Sequence, residues 1–536
     1  MSEERAPRAV AAAAVLASSA VLTWFLRANR YPPGFDEAWY LEVSYRFFHT
    51  LANDGPLALA QAWAAAFRFK APLISALPLP LYAVFGPSYD SAVLANIPAL
   101  ALLGASLYGL GRRFFSPGAG ALAAALGLAM PLTATLARTF FVETWLTAFS
   151  AAFLWRLAES DQCRKDREAP LLGLLFGLGL LTKVLFPGVV AAPVAWVLWQ
   201  RAHDPRGPSW PSLERWMKVF AAVALGTSLT WYGPNLVYVT GFALSAYRGG
   251  IGAHYGAPTA WGVPQVTGYL VGMANGVLSW YTVLLLLALL LFLRRRLLGS
   301  PGLLFAAAWV VPYLLLTTSG LCKDHRYIAP AVPGVALALA GLLDAATAGR
   351  KYRVLVLCLA FLPLAGDFLL QAFSNTLPPA VAAPLARLFP TRTQYGGPPR
   401  PEGTVDSEAI LLALASHLPP ASVVAAGIEH PRLNANLLAA AAAKNDLPLA
   451  FIHYGHMEGE LRRVLIRFIE KDATHILFLD GLPEEELPPM IPKVDAELRA
   501  HVREGRLPFR KAASFRFSHH VSGELWERTG PIRMAL

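Results

Sequence analysis

Residues 9–40 read AVAAAAVLASSAVLTWFLRANRYPPGFDEAWY. Ala9–Leu26 carries no charge and is close to the roughly 20 apolar residues a membrane-crossing helix needs. The run is Ala-rich like a signal peptide, but it passes into an acid pair without a small-x-small cleavage site. It therefore reads as an uncleaved first span. Directly beyond it, Asp36 and Glu37 open an aromatic segment, GFDEAWYLEVSYRFF (34–48). One use of the pair is local: Asp36 as a helix cap and Glu37 in the first turn, contributing about 0.3–1 kcal/mol. The other is chemical, since Asp36 and Tyr40 are i,i+4 neighbours on one helix face.

The whole chain supports the membrane reading. Of its 536 residues, 55% are hydrophobic and only 15% charged, and the mean hydropathy is +0.44. A soluble domain carries about a quarter charged residues. Further apolar runs lie near 89–111, 118–137, 141–157, 171–183, 184–200, 217–239, 271–293, 302–319, 327–345 and 353–373. Basic clusters alternate with them: Arg112–Arg113, Arg164–Arg167, Arg201–Lys218, Arg294–Arg296 and Arg350–Arg353. All fall on one side if the short, proline-containing run Ala71–Phe85 is juxtamembrane or re-entrant. The positive-inside rule makes that side cytoplasmic. The expectation is an all-α polytopic protein of about eleven spans. The net charge of +11 is then orientation charge, and no nucleic-acid partner is implied. Cys163, Cys322 and Cys358 have neither disulfide nor zinc spacing.

This topology gathers ionisable residues on the external face. Beside Asp36 and Glu37 stand Lys70 in RFKAP, Arg138 and Glu143 in ARTFFVETW, and Lys183 in LLTKVLFPG. Then come His254 in IGAHYGAP, and Lys323, Arg326 and Tyr327 in CKDHRYIAPAVP. Charges at membrane depth are costly and by default suggest function. Each residue also has a plain alternative as an interfacial anchor or helix-end side chain.

The ordered set GFDEAWYLEV, RFKAPLISALPLPLYAVFG, ARTFFVETWLTAF, GLLFGLGLLTKVLFPGVVAAP and KDHRYIAPAVPGVALALAG resembles the C-type (GT-C) membrane glycosyltransferases. The branch is that of the protein O-mannosyltransferases and the aminoarabinose and galacturonic acid transferases. The resemblance covers about residues 9–373. It implies a polyprenyl-monophosphate sugar donor and work on the outer membrane face. An Asp-Glu pair in the first external loop matches Asp36 and Glu37. Glu143 stands where relatives usually carry Asp, and Phe69 precedes Lys70 where some carry a polar residue.

Residue chemistry fits single-displacement, inverting transfer. A carboxylate must take the acceptor's hydroxyl proton, and cations must stabilise the departing phosphate. Asp36 is the expected base, with Glu37 and Glu143 as supporting acids. Lys70 and Arg326 are the first expected phosphate partners, with Lys183 and Arg138 behind them. Tyr40, His254, Lys323 and Tyr327 complete the expected substrate-binding set. No cofactor is demanded, and a divalent metal stays open. No Gly-rich phosphate loop follows a strand, so a nucleotide-sugar site is not expected.

Residues 374–536 change character. A Pro/Gly-rich loop, TRTQYGGPPRPEGTV (391–405), precedes alternating strand-like and helix-like pieces. The strands are expected at 422–427, 449–454, 474–480, 511–517 and 523–529, and the helices near 432–444, 458–470 and 484–503. This is a small α/β domain, extracytoplasmic if the span count is odd. His453 and His456 in HYGH lack an obvious third ligand for a metal. The expected partition is therefore 1–373, a transmembrane catalytic domain, and 374–536, an extracytoplasmic α/β domain. The expected setting is a bacterial inner membrane, with a lipid, glycan or protein as acceptor. The competing class is a transporter or lipid-linked sugar flippase, although no internal repeat of the transporter kind is evident.

Overall fold

A computed structural model describes residues 4–204, 210–255, 259–297, 299–391, 393, 395–400, 405–427, 429–455, 458–486, 491–517 and 520–532. Two compact units divide the chain. One comprises Met1–Asn29, Ala60–Leu77 and Val93–Pro399, and the other Arg30–Leu59, Pro78–Ala92 and Arg400–Leu536. The division is therefore not a single cut at 373/374, because the segment carrying Asp36 clusters with the C-terminal residues.

The first unit is helical, and its helices follow the apolar runs. Among the described residues, five helices of the chain are long and apolar enough to cross a membrane: Arg5–Ala28, Tyr89–Phe114, Pro301–Ser319, His325–Thr347 and Arg353–Thr376. A sixth span arises if Val263–Leu278 and Trp280–Leu293, bent by 103°, act as one. The bend has a local cause. Met273–Leu278 is wound as a π-helix, and Ser279 has φ 69°, which breaks the helical path. The remaining runs are shorter or more polar. The run near 118–137 is divided at Met130, whose extended ψ of 134° precedes Pro131. Leu73–Phe85 rises about 20 Å, against roughly 30 Å of hydrocarbon, and is too short to cross alone. Small residues bring helices together: a Cβ on Gly111 would lie 2.5 Å from the Gly120 Cα.

The second unit holds a five-stranded sheet in the order β4-β1-β5-β7-β6. Its strands are β1 Val423–Ala426, β4 Ala450–Ile452, β5 His475–Asp480, β6 Phe509–Arg516 and β7 Ser522–Arg528. The short β2 Glu429–His430 and β3 Leu433–Asn434 pair separately. β1 runs parallel to β4 and β5, while β7 runs antiparallel to β5 and β6. Alternation along β5 divides the core. Leu477 and Leu479 join Leu411, Leu414 and Leu438 on one face; Ile476 and Phe478 join Val464, Phe468 and Leu498 on the other. The helices flanking these faces include Ser407–Ala415, absent from the sequence reading. The Asp406 carboxylate caps it by accepting from the Glu408 and Ala409 amides, both at 3.0 Å. The first half of the long helix Phe35–Ala65 belongs to this unit as well. Its His49 pairs with the Lys444 carbonyl at 3.0 Å, and the Asn436 amide donates to the Phe35 carbonyl at 3.1 Å.

One buried acid sets a pH dependence in this unit. Glu429, 7% exposed, has its carboxyl pushed up to about 7 by burial, opposed by Arg467 and assisted by Glu458. Its folded value lies above its unfolded one, so it contributes stability at low pH that is lost as pH rises through about 7. Glu429→Gln, which imitates the protonated acid, is predicted to match the parent protein near pH 5. By pH 8 the variant should be more stable by up to about 3 kcal/mol. Thermal unfolding midpoints at the two pH values check this; equal midpoints at pH 8 would contradict it.

Candidate active site

In the first unit, three chain breaks bring charged residues together. Glu143 opens the helix Glu143–Glu159, where the helix dipole favours an acid. Lys183 ends Glu168–Thr182 as its extended C-cap, where the dipole favours a cation, and Pro187 starts the next helix. Arg326 lies in the 3-10 turn His325–Ala331, which Asp324 caps by accepting the Arg326 amide at 3.0 Å.

The three side chains meet. Glu143 is 1% exposed. Its Oε1 accepts from Lys183 Nζ at 2.6 Å and lies 3.9 Å from Arg326 Nε. Arg326 Nε is 2.9 Å from Asp324 Oδ2, and the same oxygen accepts from the Tyr395 hydroxyl at 2.6 Å. Aromatic rings close over the cations. Lys183 Nζ sits 4.2 Å from the Tyr327 ring centroid, and the Arg326 guanidinium carbon 4.9 Å from that of Phe141. The Tyr327 carbonyl accepts from the buried Tyr313 hydroxyl at 2.7 Å. Two carboxylates thus balance two cations. Glu143 Oε2 is buried with no hydrogen-bond partner among the described residues. A buried carboxylate oxygen left open in this way can take a hydrogen bond from an incoming donor.

Other expected residues take different places. Lys323 Nζ donates to the carbonyls of Thr318 and Gly320 and lies 5.6 Å from the Tyr269 ring centroid. Arg138 is fully buried and commits its NH1 to the carbonyl of Gln371 at 2.9 Å and that of Gly396 at 3.5 Å. Lys70 is half-buried and follows Phe69, whose ring packs tilted against Phe242 with centroids 4.5 Å apart. The turn before it is pinned by Trp231, which donates to the Ala66 carbonyl at 2.9 Å. His254 is exposed on the short helix Gly250–Tyr255. In the second unit, His453 faces Glu429 at 3.5 Å, and His456 lies outside the described residues. Among the described residues no three His, Cys, Asp or Glu side chains could hold a metal.

In the second unit, the acid pair divides its labour. Glu37 is buried and fully engaged: Oε2 accepts the Gly34 amide at 2.8 Å, and Oε1 accepts the Tyr89 hydroxyl at 2.9 Å. It performs the reach-back half of a capping box. Asp36, one residue earlier in the first turn, is partly exposed. Tyr40 is buried one turn further on.

A family model described as dolichyl-phosphate-mannose-protein mannosyltransferase matches residues 69–231. The fold matches ArnT from Cupriavidus metallidurans bound to undecaprenyl phosphate at 15% identity, over 95% of this chain and 97% of that one, with a TM-score of 0.57. The chain has the GT-C fold. The apo form of the same ArnT matches at 15% identity over 94% and 96% of the two chains, with a TM-score of 0.55. The apo oligosaccharyltransferase of Archaeoglobus fulgidus matches at 12% identity over 88% and 69%, with a TM-score of 0.50. No curated protein matches the sequence. With this fold and its long apolar helices, the chain is an integral membrane protein with a C-terminal α/β domain.

The cluster around Glu143 carries a stability prediction. Removing the carboxylate leaves Lys183 and Arg326 as neighbouring, largely buried cations. Glu143→Ala should lower stability by about 3–5 kcal/mol, and Glu143→Ala with Lys183→Met should recover part of that loss. Unfolding midpoints in detergent decide it, and a single variant as stable as its parent would exclude this role.

Proposed function

We propose that this protein transfers a sugar from a polyprenyl-monophosphate donor to a lipid, glycan or protein acceptor at the outer face of a membrane. The observation that carries the reading is the buried Glu143 held by Lys183 and Arg326, with its second oxygen open. Such a site can exchange carboxylate for phosphate. Arg offers a planar fork to phosphate oxygens, and Lys a point charge. As the sugar–phosphate bond breaks, charge builds on the leaving phosphate, and prepositioned cations stabilise it at little reorganisation cost. Lys70 is assigned to the same phosphate. The undecaprenyl phosphate bound to the similarly folded ArnT supports a donor of this chemistry.

Asp36 is assigned as the general base. Its partial exposure suits a group that must meet an acceptor hydroxyl, whereas Glu37 is buried against Gly34 and Tyr89. In this assignment Asp36 removes the hydroxyl proton as the oxygen attacks the anomeric carbon, and the donor phosphate leaves from the opposite face with the bond's electrons. The anomeric centre inverts. The C-terminal domain belongs on the same, external side, and the setting we assign is a bacterial inner membrane.

Asp36→Asn keeps size and capping ability but cannot take a proton. Turnover with a polyprenyl-phosphate sugar should drop about 100- to 10,000-fold while donor binding stays near its parent value. A folded Asp36→Asn variant with full transfer activity would remove Asp36 from catalysis. Lipid translocation without transfer in the parent protein would favour the flippase reading instead.

A further inference from the structure

We propose that Tyr395 and Asp324 are positioning residues for Arg326, and that the strap residues Thr393, Tyr395, Gly396 and Pro399 set the affinity of the site for the donor phosphate. This rests on the phosphate role assigned to Arg326 above. Arg326 has a long side chain with several rotamers, so a cation meant to receive phosphate must be held before the ligand arrives. Asp324 does this twice. Oδ1 accepts the Arg326 amide at 3.0 Å, fixing the backbone, and Oδ2 pairs with the guanidinium as an ion pair, 2.9 Å from Nε. Tyr395 fixes Asp324 in turn, donating to Oδ2 at 2.6 Å. Its ring also packs edge-on to Phe141, with centroids 5.2 Å apart, and lies 5.6 Å from the guanidinium carbon. Burial, partly opposed by Arg326, pushes the Tyr395 phenol well above its ordinary value, so it remains a donor.

The strap that delivers Tyr395 is tied on both sides of it. Thr393 donates to Gln371 Oε1 at 3.0 Å, and Asn375 donates to the Pro399 carbonyl at 2.8 Å. Arg138 NH1 bonds the Gln371 carbonyl at 2.9 Å and reaches the Gly396 carbonyl at 3.5 Å. Gly396 has φ +53°, and a Cβ there would lie 2.1 Å from the Thr135 carbonyl oxygen, so the backbone is pressed directly on its neighbour. Arg138 therefore serves the phosphate site through this strap. The chain of contacts runs from Arg138 and Gly396 to Tyr395, Asp324 and finally Arg326.

The test measures binding of undecaprenyl phosphate in detergent, and donor KM and kcat where transfer is observed. Tyr395→Phe removes one hydroxyl and keeps the ring. It should weaken undecaprenyl phosphate about tenfold and raise donor KM about as much, leaving kcat within about threefold. Asp324→Asn keeps the amide cap but loses the charge, and should weaken binding at least as much. In an Arg326→Ala background, Tyr395→Phe should add no further loss, which a merely structural tyrosine would not obey. Parent-like affinity in Tyr395→Phe, or equal additive losses in both backgrounds, would overturn the positioning role while leaving the phosphate role of Arg326 standing. No binding of undecaprenyl phosphate by the parent protein would remove the function proposed above, and this role with it.

Discussion

A carboxylate buried at a helix N-terminus and shared between two cations organises the first unit. A buried carboxylate needs cationic partners to offset its desolvation, and Lys183 and Arg326 need the Glu143 carboxylate between them for the same reason. Satisfying all three draws together the start of Glu143–Glu159, the break between Glu168–Thr182 and Phe186–Ala202, and the turn before Val332–Thr347. Each break is written locally, by a residue suited to that helix end or by a proline beyond it. Their meeting is a tertiary fact. An ion cluster of this kind contributes modestly to net stability, because desolvation offsets much of the attraction. In the function proposed above, its value is to keep charges poised where a phosphate can exchange with a carboxylate.

Much of the fold was legible because both of its periodicities are strong. Long apolar runs gave helices at nearly the expected places, and the alternating pieces 422–427, 449–454, 474–480, 511–517 and 523–529 became strands of the sheet. The helix Ser407–Ala415 escaped notice although Asp406 before an apolar run signals its start. Within the site, Glu143, Lys183, Arg326 and Tyr327 stood out as charged or polar residues at the ends of apolar runs, and the structure brings these together. Tyr395 carried no such signal, since it lies in a Pro/Gly-rich loop and its partner Asp324 is distant in sequence. Arg138 looked like a ligand-facing cation, but its NH1 is committed to backbone carbonyls of Gln371 and Gly396 that only the folded chain supplies.

The acid pair at the start of the chain shows how two adjacent carboxylates acquire different tasks. Successive residues on a helix point about 100° apart. Glu37 turns inward to Tyr89 and reaches back to Gly34, while Asp36 stays partly exposed. The helix that carries both is built into the same unit as the C-terminal sheet, through Asn436, His49 and Arg46. The C-terminal domain therefore supports the segment around Asp36 directly, which gives that domain a physical role in the function proposed above.

The most direct measurement is a density map of the protein with undecaprenyl phosphate bound. The phosphate should lie within about 2.7–3.2 Å of Lys183 Nζ or the Arg326 guanidinium, with Glu143 giving up one of its cations. A phosphate bound elsewhere, with both cations still closed on Glu143 and Asp324, would contradict it.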